Sequence, residues 1–153
     1  MPKQKAPLRR KAKKRKKRSE LQKRKDNPRS SYWRSRADKA WATLQYILWD
    51  HKCAVCGEGG RLEAHHLVPR NVVSLRHCVR NGIVLCPTHH KWNPYLSAHG
   101  GPAGFADWLQ KHHPEQFAWA VAARAKPGTK PDYKAVYEQL TTILLGQTGR
   151  GQQ

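Results

Sequence analysis

The sequence predicts an α+β fold, in which a small core of two short strands is flanked by helices and preceded by a disordered basic arm. The segments "RLEAHHLV" (61–68) and "GIVLC" (82–86) are apolar or β-branched and are bounded by Gly and Pro, which is typical of strands. Before and after them, apolar residues recur every three or four positions, which predicts helices. The first 28 residues offer almost nothing to bury, which predicts disorder.

Each element follows from a local pattern. An apolar stripe from 32 to 50 predicts a helix, and we interpret its tryptophans as core rather than as a surface for base stacking. "THHKWN" (88–93) opens a short helix, and two helical patterns follow the loop at 97–104. A break at 126–131 precedes a last helix. The predicted segments are a disordered basic arm (1–28), an N-terminal helix (29–52), a core with cysteine knuckles (53–96), a C-terminal helical region (97–146) and a flexible tail (147–153).

The charge is strongly positive and uneven. The chain carries a net charge of +20, and residues 1–25 hold fourteen of its thirty Lys and Arg against one acidic residue, Glu20. A basic folded part with a more basic arm indicates a polyanionic partner, and nucleic acid fits best. The alternative is a solvated or ribosomal-type tail. The predicted phosphate contacts of the arm are Arg9, Arg10, Lys11, Lys13, Lys14, Arg15, Lys16, Lys17 and Arg18.

A membrane role is disfavoured, because "RRKAKKRKKR" has no apolar face and no apolar run is long enough to span a bilayer. The basic start is not followed by an apolar stretch, so we predict no signal peptide. We therefore expect a cytoplasmic protein of a bacterial or phage-infected cell. In a eukaryotic host, "KKRKKR" is a candidate nuclear signal.

Two close pairs of metal-ligating residues predict a structural zinc. Cys53-x-x-Cys56 and Cys86-x-x-His89 each have knuckle spacing, and a tetrahedral zinc takes two such pairs. Two disulfides, or four ordinary cysteines, are the alternatives that this spacing disfavours. Cys78 lies outside the set and is interpreted as a buried or free thiol.

The run C-x-x-C, "LEAHHLVPR", "NGIVLC" and x-x-H-H resembles the HNH endonuclease family over residues 53 to about 93. The three letters fall on His66, Asn81 and His90. The resemblance implies a ββα-metal (His-Me finger) core stapled by the structural zinc. Family members of this kind usually end C-x-x-C-H, so here His89 stands in place of a cysteine. The stretch 97–117 is also similar to short phage-type HNH nucleases.

The resemblance implies hydrolysis of DNA phosphodiester bonds that leaves 3′-hydroxyl and 5′-phosphate ends. His66 would be the general base, and Asn81 would hold the loop that positions it. His65 and His90, with Asn93 as a further ligand, would hold one divalent ion, Mg²⁺ or another. We expect DNA as the partner and no small-molecule cofactor beyond these metals, and we leave the oligomeric state open.

Other interpretations stay open at this stage. The chain could be a non-catalytic zinc-knuckle module that binds nucleic acid, or a nuclease acting on branched DNA in phage recombination. Arg70 is a candidate phosphate contact or a solvated arginine, and Glu63 is a candidate support for a ligand histidine or a surface residue. The remaining histidines are assigned no function: His51, His77, His99, His112 and His113.

Overall fold

The computed structural model describes residues 19–125 and 128–148. These residues form five α-helices, two short helical turns (Val79–Asn81 and Thr88–Trp92) and one two-stranded sheet. The elements in chain order are α1 (Glu20–Asp26), α2 (Ser31–Leu48), β1 (Glu63–His66), β2 (Gly82–Leu85), α3 (Pro102–His112), α4 (Pro114–Arg124) and α5 (Tyr133–Thr148). Within the described residues, no helix is both long and apolar enough to cross a bilayer.

The sheet is the centre of the molecule and confirms the predicted α+β class. β1 and β2 are antiparallel, with His65 opposite Ile83 and His66 opposite Gly82. All four residues of β2 are buried, which suits the apolar side chains of Ile83, Val84 and Leu85. The short helical turn Thr88–Trp92 follows β2 closely, so two strands and a helical turn form a compact unit.

Helix α2 covers one side of this unit. Its predicted apolar stripe is confirmed: Ala37, Trp41 and Leu44 are buried at 0%, 2% and 0% exposure. α2 packs along α5 and also contacts both strands. The tryptophan at position 41 is therefore a core residue, and it also lies beside β1.

Helices α3 and α4 pack against each other and close the other side. Each begins at a proline, Pro102 and Pro114, whose missing N–H costs nothing at the first position of a helix. Phe105 and Leu109 of α3 join a core cluster with Ile83 and Leu85 of β2. This packing fixes the chain on both sides of the loop that follows the Thr88–Trp92 turn.

Helix α1 corrects one expectation. The predicted disordered arm spans 1–28, but residues 20–26 are helical and their first turn is capped by the Ser19 hydroxyl, which accepts from Gln22 N. Ser19 and the acidic first residue Glu20 both favour a helix start, and the basic last turn favours its end. Residues 1–18, with all nine predicted arm contacts, and the tail beyond 148 lie outside the described residues.

Candidate metal centres and active site

The two predicted knuckle pairs meet in space. The Sγ atoms of Cys53, Cys56 and Cys86 and a ring nitrogen of His89 all lie within 4.8 Å of one another. His89 Nδ1 is 3.2 Å from Cys86 Sγ and 3.6 Å from Cys53 Sγ, and the sulfurs of Cys56 and Cys86 are 4.0 Å apart.

Local backbone structure explains this convergence. Gly57 N donates to Cys53 O, and Gly57 has a positive φ of 74°, so the chain makes a tight turn that contains the first two ligands and ends directly after the second. Ala54 N donates to Val84 O at 2.9 Å, which ties this turn to β2. Cys86 directly follows β2, and the helical turn then brings His89 back toward it.

These separations suit a tetrahedral zinc. Ligands about 2.3 Å from an ion lie about 3.8 Å from one another at the corners of a tetrahedron, which is close to the distances found here. Burial, together with the neighbouring Cys53 and Cys86 sulfurs, raises the pKa of Cys56 to about 11. A dication would compensate this crowding of sulfurs, so the four residues fit a structural zinc.

A second cluster consists of three imidazoles. Ring nitrogens of His65, His90 and His99 lie within 4.8 Å of one another, and His90 Nε2 is 3.1 Å from His65 Nδ1. The ring centroids are 4.8 to 5.1 Å apart. His65 and His90 were predicted ligands of a divalent ion, and the structure brings them together. His99, which sequence reasoning left without a function, completes the set.

His99 is brought to the cluster by the fold of the loop that carries it, and it is not part of a sequence motif. Its backbone N donates to His90 O at 3.1 Å, and Ala98 N donates to His89 O at 3.0 Å. These two hydrogen bonds close the base of a loop that begins after His90. The spacing of "SAHGG" does not predict that the base of this loop is closed by hydrogen bonds. The sequence indicates His99 as a ligand only by placing a histidine nine positions after His90.

Glu63 supports the cluster. Its carboxylate accepts a hydrogen bond from His90 Nδ1 and one of 2.8 Å from Lys91 Nζ. The hydrogen bond from Lys91, and then the one from His90, holds the pKa of Glu63 below its usual range. This contact places the proton of His90 on Nδ1 and leaves Nε2 directed at the cluster, which is how carboxylates orient ligand histidines.

Burial favours the neutral form of two imidazoles in this cluster, those of His65 and His90. Burial, followed by the nearby His90 and His99 rings, lowers the pKa of His65 to about 3. Burial also lowers the pKa of His90. Neutral imidazole is the form that binds a metal, and the chemistry of three nitrogen donors therefore fits a divalent ion.

Asn93 occupies a different role from the predicted one. Its side-chain oxygen accepts hydrogen bonds from Tyr95 N at 2.9 Å and Leu96 N at 2.8 Å, and its carbonyl oxygen accepts from Ser97 Oγ. These contacts use the oxygens of Asn93 to shape the loop. The structure therefore does not support Asn93 as a metal ligand, and His99 takes the third place.

His66 lies on the other face of β1. Its ring stacks on Trp41, with centroids 3.9 Å apart and planes inclined by 15°. Its Nε2 is 2.8 Å from Arg76 O, and a carbonyl only accepts, so Nε2 carries the proton. Nδ1 is then the basic nitrogen. Burial lowers the pKa of His66 to about 4, so the ring is neutral at pH 7.

The segment that supplies this carbonyl is anchored to α2. Arg76 donates from Nε and Nη2 to the Asp38 carboxylate at 2.7 and 2.8 Å, and His77 Nε2 lies 2.8 Å from the same group. Burial alone would raise the pKa of Asp38, but the hydrogen bonds from His77 and Arg76 outweigh it and lower that pKa. His77, another histidine without an assigned function, is thus part of this anchor.

Asn81 anchors the loop between the strands. It is fully buried, its Oδ1 accepts from Val68 N at 2.6 Å, and its Nδ2 donates to Val68 O and Leu75 O, each at 3.0 Å. Leu67 N also donates to Asn81 O. Asn81 therefore holds the chain that runs directly on from His66, which is where sequence reasoning placed its contacts.

Both faces of β1 border one open cavity of about 740 Å³. His65, His66, His90 and His99 all line it. The cavity wall carries three cationic side chains, Arg70, Lys91 and Arg124, and two carboxylates, Asp38 and Glu63, which are paired with neighbouring cations and histidines. Arg70 is exposed on this wall, as a phosphate contact requires.

A ββα unit that combines a cysteine–histidine staple with an imidazole cluster defines a metal-binding domain. Residues 53–92 match the family model described as HNH endonuclease. This segment is therefore an HNH endonuclease domain, and the resemblance predicted from the sequence is confirmed over it. The match supports nuclease activity in general and a nucleic-acid substrate. Comparisons of the whole chain with curated proteins and with solved structures give no match.

Proposed function

We propose that the protein is a metal-dependent endonuclease that hydrolyses DNA phosphodiester bonds, with His66 as the general base. One observation carries the proposal: in an HNH domain, a neutral histidine of fixed tautomer borders the same cavity as a three-imidazole cluster. A non-catalytic binding module would need the structural zinc site, but it would not need His66 or the three-imidazole cluster.

The residues of the chain have separable tasks. His66 holds its proton on Nε2 through Arg76 O, so Nδ1 is the nitrogen that takes a proton from water. The activated water attacks phosphorus opposite the 3′ oxygen, which leaves 3′-hydroxyl and 5′-phosphate ends. Arg70 and Arg124 on the cavity wall neutralise the phosphate.

His65, His90 and His99 would hold the divalent ion, which supplies Lewis-acid stabilisation of the charge on the phosphoryl and leaving oxygens. Three imidazole nitrogens suit first-row transition ions, whereas Mg²⁺ prefers oxygen ligands. We therefore expect Mn²⁺ or Ni²⁺ to support higher activity than Mg²⁺ at equal concentration.

The test is a cleavage assay on several DNA forms. The zinc-loaded full chain is freed of loosely bound ions with a chelator and is then incubated with supercoiled plasmid, single strand and a four-way junction. Each reaction receives Mn²⁺, Ni²⁺ or Mg²⁺. Metal-dependent product bearing a 5′-phosphate supports the proposal, and preferred cutting of the junction would favour branched DNA as the substrate. Absence of cleavage with every ion and every form would instead favour the binding module.

A further inference from the structure

Two large aromatic side chains are exposed on the segment between His90 and His99, the residues that supply two of the three clustered imidazoles. Trp92 is 68% exposed and Tyr95 is 82% exposed. Within the described residues, neither ring takes part in an aromatic or cation–π contact, and the Trp92 indole N–H makes no hydrogen bond. Exposure of large aromatic rings to water is unfavourable in free energy, so these two rings indicate a surface that contacts a partner.

The loop that carries these rings is held by several hydrogen bonds and by close packing. The Asn93 side chain accepts hydrogen bonds from two backbone N–H groups of the loop, and Gly101 N donates to Ser97 O and approaches Ser97 Oγ at 3.2 Å. Gly104 in α3 packs against the loop so closely that a Cβ there would lie 2.0 Å from Tyr95 O. A loop whose backbone is already held by such contacts presents its rings without a large ordering cost on binding.

The loop also adjoins the residues that would hold the ion. Hydrogen bonds from Ala98 N to His89 O and from His99 N to His90 O close its base. Trp92 follows His90 by two positions, so their Cα atoms are at most about 7 Å apart. That length corresponds to about two nucleotides of a DNA strand, whose spacing is about 3.4 Å per nucleotide.

The surroundings favour nucleic acid as the occupant. Lys91 directly precedes Trp92, and it lines the histidine cavity together with Arg70 and Arg124. Exposed aromatic rings beside cationic side chains match the way that proteins hold single strands, in which bases stack on the rings. In a duplex both faces of each base are already covered by its neighbours, and wedging a ring between them costs free energy.

We propose that Trp92 and Tyr95 stack on unpaired bases next to the phosphodiester bond that is cut. The preferred substrate is therefore DNA that has unstacked bases near the cleavage site, such as a single strand, a bulge or a junction. This inference rests on the proposed nuclease function and adds a substrate class to it.

The binding test uses the full chain with its zinc, in a His66→Ala background that prevents cleavage. Trp92→Ala combined with Tyr95→Ala is compared with Leu48→Ala, which removes an apolar side chain that is 48% exposed at the end of α2. Fluorescence anisotropy is measured with a single strand, a duplex with a bulge and an unbroken duplex. We expect about 5- to 100-fold weaker binding of the first two forms by the double variant and less than about 3-fold for the unbroken duplex.

Equal loss on all three forms, or no loss, would overturn the inference. Sedimentation of the same variants tests a protein partner: if the parent self-associates and the double variant does not, the rings form a contact between chains and the inference is wrong. Trp92→Phe retains a ring, so it should recover most of the binding to the single strand.

Cleavage assays separate this inference from the function on which it rests. With an active His66, the double variant should hydrolyse methyl p-nitrophenyl phosphate, a phosphodiester without bases, within about 2-fold of the parent, while cutting the bulged duplex about 5-fold or more slowly. If the parent hydrolyses neither substrate, the nuclease proposal fails. If the parent is active and the double variant cuts the bulged duplex equally well, only the stacking inference fails.

Discussion

His65 and His66 are consecutive in β1, and their rings leave opposite faces of the strand. His65 meets His90 and His99, whereas His66 stacks on Trp41. The strand ends at His66, and within the described residues it pairs with β2 along one edge only. Residues from both faces of the strand can therefore border one cavity, at the edge that is not paired. Strand alternation therefore places a candidate ligand and a candidate base on one cavity without crowding them together.

Among single side chains, the Asp38 carboxylate is the one whose loss we expect to lower the stability of the fold most clearly. Asp38→Asn should lower the free energy of unfolding at pH 7 by about 2 kcal/mol, because hydrogen bonds between charged groups to Arg76 and His77 are weakened. Urea unfolding of the zinc-loaded protein measures this. The exposed Asp107→Asn serves as the control and should change the same quantity by less than about 0.5 kcal/mol.

The pH dependence of that difference has a definite sign. The pKa of Asp38 is lower in the folded protein than its ordinary value of 3.8, so the stabilisation is complete above that value. It is lost as the pH falls through the folded pKa. The difference between parent and Asp38→Asn should therefore be constant from pH 7 to 5 and should shrink below about pH 4. A difference that shrinks already between pH 7 and 5 would contradict the ion-pair account.

A substitution of Cys53 tests the assignment of the structural zinc site. Cys53→Ser removes a buried sulfur of the four-residue cluster, so the variant should bind about one zinc fewer per chain in native mass spectrometry. Its Tm should fall by more than about 10 °C, because a structural zinc contributes directly to folding. Cys78→Ser is the matched control, since Cys78 lies outside the cluster. Equal zinc content in both variants would contradict the assignment.

At the level of elements, local patterns predicted most of the fold. The strands, the α2 stripe and the proline start of α4 were predictable because spacing and turn residues decide them within a few positions. The two knuckle pairs were predictable for the same reason. His99 and the Asp38–Arg76 ion pair were not, because they form only when separate elements pack. Helix α1 was missed because composition outweighed its Ser19 cap.

The contact between α2 and β2 depends on a glycine. A Cβ at Gly82 would lie 2.1 Å from Gln45 Cδ, and the Gln45 side chain is 1% exposed and donates to Val79 O. Gly82→Ala should therefore lower the free energy of unfolding by about 1–3 kcal/mol, through overpacking next to His66. Urea unfolding tests this against Gly59→Ala, where the nearest atom would be 3.5 Å away. Equal stability of the two variants would show that α2 can move aside.

For the whole molecule, charge is the dominant property. Residues 2–18 contain eleven Lys and Arg and no acidic residue. Their deletion should weaken DNA binding and reduce the slope of log affinity against log salt, because fewer phosphates are neutralised. The cleavage rate at saturating DNA should change little. Binding titrations at several salt concentrations check this, and identical slopes for the full and shortened chains would contradict a phosphate-binding arm.

The central claim, that this HNH domain cleaves DNA through His66, is tested by one comparison. The parent, His66→Ala and the exposed control His112→Ala are assayed on supercoiled plasmid with Mn²⁺. The three proteins are first shown to have equal zinc content and equal affinity for DNA. Loss of a general base typically lowers the rate about 100-fold or more. We predict that loss for His66→Ala and nearly unchanged cleavage for His112→Ala. Cleavage by His66→Ala at the rate of the parent would contradict the account.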